Sequence, residues 1–464
     1  MIKSIHLQQF KSWRDTGVMR LASLTALFGT NSSGKSSLLQ WLLMLKQTAQ
    51  SPDRNQPLEL GDDQSMVDMG TFPELLFQYD TSKALEWRLD WDLGKTLRIQ
   101  NPSSPKDVLF EDSQLGFRAR LHWGNNGQKG LGRTSVDFLH YFFAGRGFGL
   151  AADKEKGKGY QLYAEDADGF RFVRTQGRVW ELPTPYKCYG FPDQVRAYYQ
   201  NAGFLSDFEL ELERLFSRIH YLGPLREHPQ RQYTWAGSNP RDMGPMGERV
   251  VDAILAAREL GAYISPGHRK RKLTLEERIA KWLQELGLVD SFSVRPVTEG
   301  SKLFQVWVKR SPKSPEVLIT DVGFGVSQIL PVIALCYYVP EGSILVLEQP
   351  EIHLHPSVQA GLADVFIDAI RTRSIQIIVE SHSEHLLRRL QRRIAETEAE
   401  DGFRHDQAAL YFCRIEDGES KLDHLKLDMF GTIENWPQDF FGDEFGEIAA
   451  TNLAAIRRKK AAGQ

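Results

Sequence analysis

The chain has 464 residues, which suits two or three domains as a first expectation. With 25% charged and 41% hydrophobic residues its composition is ordinary for a globular protein, and its formal net charge of −3 gives no overall attraction to nucleic acid or to an anionic membrane. No stretch is apolar enough to span a bilayer, and residues 1–7 alternate like a strand instead of forming the apolar core of a signal peptide. The three cysteines have no metal-binding or redox spacing: Cys188, Cys336 and Cys413. We therefore expect a cytoplasmic protein with no membrane partner.

A phosphate-binding motif follows the first strands. Strand-like residues 21–28 lead into a glycine, four further residues and then Gly-Lys-Ser, and helix-forming residues 38–45 follow. In such a P-loop the backbone N–H groups and the start of the helix hold phosphate oxygens. Lys35 would reach the β- and γ-phosphates, and the Ser36 hydroxyl would ligate Mg²⁺. The predicted nucleotide-binding residues here are Gly29, Asn31, Ser32, Ser33, Gly34, Lys35, Ser36 and Ser37.

The residues after the P-loop helix change to a β pattern. Apolar and polar residues alternate at 85–93 and at 117–123, and similar segments bounded by turns recur to about residue 180. We interpret residues 60–205 as a β-rich insertion that contributes no phosphate-binding group and that recognises a partner or ligand. The predicted segments are an N-terminal ATPase lobe with the P-loop (1–59), this insertion (60–205), a helical subdomain (206–300), a C-terminal ATPase lobe (301–407) and a small C-terminal domain with a tail (408–464).

Helical and strand patterns alternate after the insertion. Helices are predicted at 204–219, 248–260 and 273–286, and strands at 292–295 and 303–309. Basic residues occur in a run at 268–272 and at four further positions: Arg388, Arg389, Arg392 and Arg393. They could form a patch for DNA or RNA, although a charge run is more often a solvated face.

Two apolar runs in the second half end in polar residues that fit a nucleotide site. The run at 343–347 leads to Glu348, and P-loop proteins hold Mg²⁺ with a carboxylate at the end of a buried parallel strand. The run at 375–379 leads to His382, which could sense the γ-phosphate, although a histidine at a strand end is more often structural. Small residues before a helix predicted at 329–338 could form a second anion site, with a simple N-cap as the alternative. The candidates there are Ser327 and Gln328.

Together these motifs resemble the ATP-binding-cassette (ABC) ATPases of the chromosome-maintenance and recombination branch. The matching parts are the P-loop, the signature segment (325–328), the Walker B strand (344–348), the dimer loop (351–356) and the switch histidine (His382). The runs Glu-Gln-Pro-Glu-Ile-His-Leu-His-Pro and Glu-Ser-His-Ser-Glu-His-Leu-Leu are more specific and look like a bacterial subfamily related to the overcoming-lysogenization-defect ATPases. The segment Gly431–Phe441 resembles a small domain that closes many of these chains.

The resemblance implies an α/β fold, namely an ABC-type P-loop ATPase head with a mixed sheet flanked by helices, interrupted by a β-rich insertion and a helical subdomain. It implies ATP and Mg²⁺ as cofactors and a homodimer or higher oligomer formed through the ATP sites, with Ser327 completing the site of the opposite protomer. Many members of the subfamily act in anti-phage defence, as in the Septu and PARIS systems, and are paired with a nuclease or toxin. The implied catalytic residues are Lys35, Glu348, Gln349 and His382, and the implied metal ligands are Ser36 and Glu348.

The chain departs from the family pattern at the catalytic position. Cassette ATPases usually have Asp-Glu where this chain has Glu348-Gln349. An amide can orient water but is not a useful base, so we expect slow hydrolysis and a long-lived ATP-bound state. The signature segment keeps chiefly a serine followed by glutamine, and no acidic nuclease domain follows the ATPase. Four residues could be interpreted as a zinc cluster, although the dimer loop accounts for two of them: His353, His355, Glu384 and His385.

The favoured interpretation is an ATPase that dimerises around ATP and controls a partner effector. One alternative is a DNA-binding repair or recombination ATPase, which DNA-stimulated turnover would reveal. Another is a scaffold that holds nucleotide structurally and stores a toxin, which constant ATP occupancy without turnover would reveal.

Overall fold

The computed structural model describes residues 1–101, 104–125, 132–153, 159–166, 170–177, 181–265, 267, 271–397, 402–437, 450–451, 453–455 and 458. The strands are β1 (Ile2–Phe10), β2 (Trp13–Asp15), β3 (Met19–Arg20), β4 (Leu24–Gly29), β5 (Leu85–Asn101), β6 (Ser104–Asn125), β7 (Gly132–Phe143), β8 (Arg146–Ala152), β9 (Tyr160–Glu165), β10 (Ile219–Leu222), β11 (Tyr233–Thr234), β12 (Tyr263–Ile264), β13 (Leu273–Thr274), β14 (Ser291–Pro296), β15 (Leu303–Lys309), β16 (Glu316–Leu318), β17 (Ile344–Glu348), β18 (Gln376–Glu380), β19 (Ala408–Glu416) and β20 (Glu419–Leu425). The helices are α1 (Lys35–Gln50), α2 (Phe72–Leu75), α3 (Asp193–Tyr198), α4 (Leu205–Ser217), α5 (Val250–Glu259), α6 (Leu275–Glu285), α7 (Phe324–Tyr338), α8 (Pro356–Arg373) and α9 (Glu384–Ala395).

The P-loop belongs to a six-stranded, mostly parallel sheet. Its strand order is β10-β17-β18-β4-β19-β20; the first five strands are parallel, and β20 returns antiparallel to β19. Every residue of β17 and β18 is buried, as expected of parallel strands covered on both faces. The strand that leads into the P-loop, β4, therefore lies between β18 and β19.

A second, antiparallel sheet has the order β2-β1-β5-β6-β7-β8-β9, with β3 also paired to β1. Strand β1 pairs directly with β5, with Ile5 opposite Leu89 and Leu7 opposite Trp87. The strands predicted within 60–205 thus share one sheet with the N-terminal strand. The sequence did not predict this pairing, because alternation reveals a strand but not its partner. The exact segment boundaries stay predictions.

The two sheets are separated by α1. Apolar residues of α1 share one core cluster with Leu89 of the antiparallel sheet and Val346 of the parallel sheet, and the rings of Trp41 and Trp87 meet edge to face at 6.4 Å. Helices α5 to α9 pack on the other face of the parallel sheet in a second cluster. The predicted fold class is confirmed: an α/β ATPase head whose mixed sheet is flanked by helices.

The elements after residue 204 agree with the patterns that predicted them. Helices α4, α5 and α6 and strands β14 and β15 coincide with the predicted segments to within about two residues. Parts of two other predictions, His268–Lys270 of the basic run and 438–441 of the C-terminal segment, lie outside the described residues. No helix of the described part of the chain is long and apolar enough to cross a membrane.

The end of β4 depends on a glycine. Gly29 has φ +135° and pairs with Cys413 of β19, and a Cβ atom on Gly29 would lie 2.0 Å from the carbonyl oxygen of Cys413. We expect Gly29→Ala to lower the free energy of unfolding by at least about 2 kcal/mol, because the substitution adds both a strained φ and a backbone clash. The matched control is Gly203→Ala, whose Cβ would meet nothing within 4 Å and whose effect should stay within about 0.5 kcal/mol. Urea unfolding followed by fluorescence measures both, and equal midpoints for the two variants would contradict the close approach.

Candidate nucleotide site

The P-loop joins the end of β4 to the start of α1. Gly34 is the residue before the helix and has φ +87°. A Cβ at Gly34 would lie 2.6–2.8 Å from Ser12 Oγ, Ser420 Oγ and Trp13 Nε1, so no larger residue fits. The unpaired N–H groups of the first turn of α1 and the positive end of the helix dipole face this loop. The local sequence therefore builds an anion site where the spacing predicted one.

Trp13 supports the P-loop from outside the motif. Its indole N–H lies 3.1 Å from both the carbonyl oxygen of Gly34 and the hydroxyl of Ser37, and its ring is fully buried. The turn that contains Ser12 is also tied to β20, since the Ser420 and Ser12 hydroxyls are 2.7 Å apart. Sequence reasoning missed these supports because nothing in a single sequence links residues 12 and 13 to the loop.

Lys35 lies inside the loop. Its ammonium donates to the carbonyl oxygens of Gly29 at 3.1 Å and Thr30 at 2.7 Å, and the side chain is almost fully buried. Burial lowers the pKa of Lys35, and the carboxylate of Glu380 opposes that shift. The loop carbonyls thus hold a cation beside the anion-binding N–H groups, which is the arrangement that a bound polyphosphate needs.

One cavity of about 770 Å³ brings most of the predicted nucleotide-binding residues together. Asn31 to Ser37 line it, while Gly29 lies at the end of β4 beneath the loop. Residues of the predicted insertion also line this cavity: Asp68, Met69, Gly70, Glu74, Leu76, Phe77, Gln78 and Tyr79. The expectation that residues 60–205 contribute no phosphate-binding group stays a prediction, although part of this segment lies beside the P-loop before β5 begins.

Glu348 lies at the end of β17, as predicted, but it does not line this cavity. Its carboxylate accepts a hydrogen bond from Tyr221 at 3.1 Å, and only 7% of the residue is exposed. Burial, together with the neighbouring carboxylate of Glu380, raises the pKa of Glu348 to about 7. Arg226 is buried nearby, and its charge favours the ionised form of Glu348.

Glu380 is the strand-end carboxylate that does line the cavity. It is 2% exposed, its Oε2 atom has no hydrogen-bond partner, and it stands opposite Glu348 in the pairing of β17 with β18. Because β18 lies directly beside β4, Glu380 is one strand closer to the P-loop than Glu348. The sequence does show an acid at this strand end, but the interpretation passed over it in favour of the histidine two residues later.

Gln349 and His382 also line the cavity. Gln349 has φ +43°, and its N–H donates to the carbonyl oxygen of Glu380 at 2.9 Å. The backbone N–H of His382 donates to the carboxylate of Glu351 at 2.6 Å, while its imidazole is exposed. Burial and the ammonium of Lys35 lower the pKa of His382, which favours the neutral form of the ring. These two residues therefore share one cavity with the P-loop, and their roles in catalysis stay predictions.

Ser327 and Gln328 are not brought to this cavity within one chain. Helix α7 begins at Phe324, five residues earlier than predicted, so Ser327 is buried in the first turn and donates to the Phe324 carbonyl at 2.8 Å. The exposed residues at the start of this helix are Gly323 and Phe324. Small residues tolerate either loop or helix, and the preceding glycines hid where α7 starts.

The alternative zinc site finds no support in the described part of the chain, where no three His, Cys, Asp or Glu side chains are grouped to hold a metal ion. His355 caps α8 by accepting the N–H of Ser357 at 3.3 Å, and the His353 ring packs against Phe324 at 5.4 Å. A hard divalent cation such as Mg²⁺ requires fewer protein ligands, and the oxygen donors Ser36 and Glu380 suit it.

The basic positions on α9 are already paired with acids. Arg389 and Arg393 both contact Asp364 at 2.6 Å, whereas Arg388 pairs with Glu384 and Arg392 with Glu396. The solvated-face interpretation of these arginines therefore agrees better with the structure than a free phosphate-binding patch does.

Comparisons with known proteins agree with the P-loop interpretation. Residues 197–388 match a family profile described as an AAA domain of the AbiEii toxin and type IV toxin–antitoxin systems, and residues 404–450 match a domain of unknown function, DUF3696. No curated protein sequence matches the chain.

The solved structures that resemble the chain include three heads of SMC proteins. One, bound to the C-winged helix domain of ScpA, has 13% identity and a TM-score of 0.47, covering 92% of this chain and 98% of its own. The SMC head domain from Thermotoga maritima has 12% identity, a TM-score of 0.40 and coverages of 92% and 99%. A Pyrococcus furiosus Smc head complex has 11% identity, a TM-score of 0.44 and coverages of 98% and 99%. From the family match and the geometry of the P-loop, we conclude that the chain carries a P-loop ATPase domain.

Proposed function

We propose that the protein is an ABC-type ATPase that binds ATP with Mg²⁺, hydrolyses it slowly, dimerises around it and regulates a partner effector. One observation carries this proposal: a single cavity joins the P-loop to Gln349, Glu380 and His382. The groups that bind a triphosphate are present, but an amide occupies the position from which a carboxylate would activate water.

The metal-holding role in this proposal belongs to Glu380 together with Ser36. Glu380 lines the cavity, and its Oε2 atom has no hydrogen-bond partner among the described residues, whereas Glu348 accepts a hydrogen bond from Tyr221 and does not line the cavity. Mg²⁺ would supply charge neutralisation at the β- and γ-phosphates when bound. Glu348 then contributes to the negative field behind Glu380 and does not coordinate directly, a change from the assignment made on sequence alone.

The Mg²⁺ requirement for nucleotide binding distinguishes the roles proposed for Glu380 and Glu348. We expect Glu380→Gln to raise the Mg²⁺ concentration required for tight binding of a non-hydrolysable ATP analogue by about tenfold or more, because a metal-holding group is lost. The isosteric substitution Glu348→Gln is the matched control and should change this requirement much less. A Mg²⁺ titration of fluorescent-analogue binding measures both variants. A larger increase in the required Mg²⁺ concentration for the Glu348 variant than for the Glu380 variant would assign the metal-holding role to Glu348.

Water activation limits the rate in this proposal. The Gln349 amide can donate to and accept from a water molecule but cannot take its proton at neutral pH. The neutral form of His382 is favoured, and its exposed ring can help to position water or sense the γ-phosphate. A lost general base typically costs on the order of 10²–10⁴ in rate, so the ATP-bound state is long-lived. Slow hydrolysis of this kind suits a protein that stays bound to ATP until a signal arrives.

Restoring the carboxylate should accelerate the chemical step. We expect Gln349→Glu to raise the single-turnover hydrolysis rate at saturating ATP and Mg²⁺ by at least about tenfold, with little change in nucleotide affinity. Gln349→Ala is the control, since it removes the amide without adding a base and should be no faster than the wild type. An unchanged or lower rate in a folded Gln349→Glu protein, as judged by its circular dichroism, would move water activation to another group.

The start of α7 is the surface proposed to complete the ATP site of a second protomer. Gly323 and Phe324 are exposed there, and the ring of Phe324 packs between His228 and His353. Helix N-termini attract anions, and this one does not face the P-loop cavity of its own chain. Dimerisation around ATP would give the exposed turn its phosphate partner, with Ser327 and Gln328 fixing the turn from behind.

Mixed dimers test this arrangement. Gly323→Arg should block the approach of α7 to the partner's nucleotide, because position 323 is open to solvent, and Lys35→Ala should disable the P-loop of its own chain. Each variant alone should be inactive, but a mixture should regain activity, because both defects fall in one site and spare the other. Gly323→Ala is the control for Gly323→Arg and should remain active. A mixture that exchanges subunits yet stays inactive would exclude sites shared between protomers.

The partner is proposed to be an effector such as a nuclease or toxin in anti-phage defence, with the protein acting in the cytoplasm. The description of the matched family profile names an AbiEii toxin and a type IV toxin–antitoxin system, which supports a role in defence. The DNA-binding repair ATPase remains the second candidate, supported by the sequence resemblance. The pairing of the α9 arginines with acids favours the effector proposal. A several-fold stimulation of ATP turnover by DNA, measured at physiological salt, would reverse that preference.

A further inference from the structure

A second cavity, of about 550 Å³, lies at the opposite edge of the parallel sheet from the P-loop. Residues immediately before β10 and β17 line it, among them Arg218 and Ser343, and the end of α1 contributes Lys46 and Gln50. Because these strands are parallel, the cavity lies beside the starts of both, whereas Glu348 is the last residue of β17. None of the residues that line the nucleotide cavity lines this one.

The second cavity is strongly basic, although the whole chain has a net charge of −3. Its described lining holds four cationic side chains and one carboxylate: Lys46, Arg218, Arg241 and Arg373, with Asp242. Lys46 is buried and pairs with Asp242 at 2.9 Å, and Arg373 pairs with Glu341 at 3.2 Å, so the excess charge comes from Arg218 and Arg241. Arg218 and Arg241 are exposed, and neither forms an ion pair within the described part of the chain. An excess of cationic groups around a concave site favours an anionic ligand.

Buried polar atoms in the lining lack partners. Ser343 is 1% exposed, and its Oγ atom has no hydrogen-bond partner within the described part of the chain, whereas the Nδ1 atom of His220 lies 3.8 Å from the carboxylate of Asp242. The Nε atom of Arg373 is also unpartnered, although its other nitrogens contact Val339 and Glu341. Buried polar groups are nearly always hydrogen-bonded, so these atoms indicate a polar ligand or bound water in the cavity.

The rest of the lining is apolar. Ala257, Ile264 and Leu275 form part of the wall, and Tyr263 stands at the rim with 63% of its surface exposed. An apolar wall with a few convergent polar groups is typical of a site for an organic ligand, and the volume lies in the usual range of about 300–1,000 Å³. A planar group could stack on the exposed Tyr263 ring.

We propose that this cavity binds a small organic phosphate of the size of a nucleoside monophosphate. A guanidinium group matches phosphate oxygens in two-point hydrogen bonds, which suits the exposed Arg241, and the apolar wall takes the organic part. The hydroxyl of Ser343 supplies a further polar contact.

The cavity is joined to the nucleotide site by α1. This helix of 16 residues begins at Lys35 and ends at Gln50, so it spans about 24 Å between the two cavities. Near its far end Lys46 donates to the carbonyl oxygen of Ile219, the first residue of β10, and to Asp242. A ligand that changes the position of Lys46 therefore changes an element that also carries the P-loop. We infer that the ligand alters ATP affinity; this part rests on the proposed function, whereas ligand binding does not.

Binding is tested on the full chain by calorimetry with AMP, GMP, CMP and UMP, with the nucleosides and inorganic phosphate as probes that lack one half of the ligand. At least one monophosphate should bind saturably, and neither half alone should bind as well. Arg241→Glu should weaken that binding by at least about tenfold, since it reverses a charge at an exposed position. The control Arg310→Glu, at an exposed position outside the cavity, should leave it unchanged.

Three results would overturn the site: no saturable binding by any monophosphate, binding unaffected by Arg241→Glu, or binding lost in Lys35→Ala, which would assign it to the P-loop. Coupling is tested separately, by the affinity for an ATP analogue with and without the monophosphate. We expect a change of about fivefold, and by linkage the analogue must change monophosphate affinity by the same factor. Equal affinities would overturn the coupling while leaving the site in place, and a chain that binds no ATP would refute the proposed function alone.

Discussion

The position of β18 between β17 and β4 governs the chemistry of the nucleotide site. This order sets two strand-end carboxylates, Glu348 and Glu380, side by side in the interior and places Glu380 next to the P-loop. Two buried carboxylates repel each other, which contributes to the raised pKa of Glu348 near 7. The nearby ammonium of Lys35 offsets part of this repulsion, and a divalent cation would offset more. The order of the strands therefore concentrates negative charge beside the P-loop.

Local motifs explain how much of this site could be predicted from the sequence. The P-loop, the helix after it and the acidic end of β17 each occupy a few consecutive residues, so spacing and periodicity predicted them correctly. Glu380, Trp13 and the lining at 68–79 were missed because their importance comes from contacts between distant segments. The pairing of β1 with β5 was missed for the same reason, since both strands were recognised but their partnership was not.

Helix α7 shows a different limit of sequence reasoning. Its apolar residues predicted a helix, but the glycines before it left the first turn undecided, and Ser327 proved to be buried instead of terminal. The exposed turn at Gly323 and Phe324 is consequently the part of α7 that another chain can reach. The proposed dimer contact thus depends more on where α7 begins than on the presence of a serine at position 327.

The contact of Trp13 with the P-loop has a consequence for the dynamics of the antiparallel sheet. Its indole connects the β1–β2 turn to the carbonyl oxygen of Gly34, and Ser12 connects the same turn to β20. A nucleotide that orders the P-loop must also order this turn, because coupling free energies are reciprocal. The amide protons of the β1–β2 hairpin should then exchange with solvent more slowly when nucleotide is bound. Conversely, a partner protein that binds the outer face of the antiparallel sheet would change the affinity for nucleotide without contacting the nucleotide.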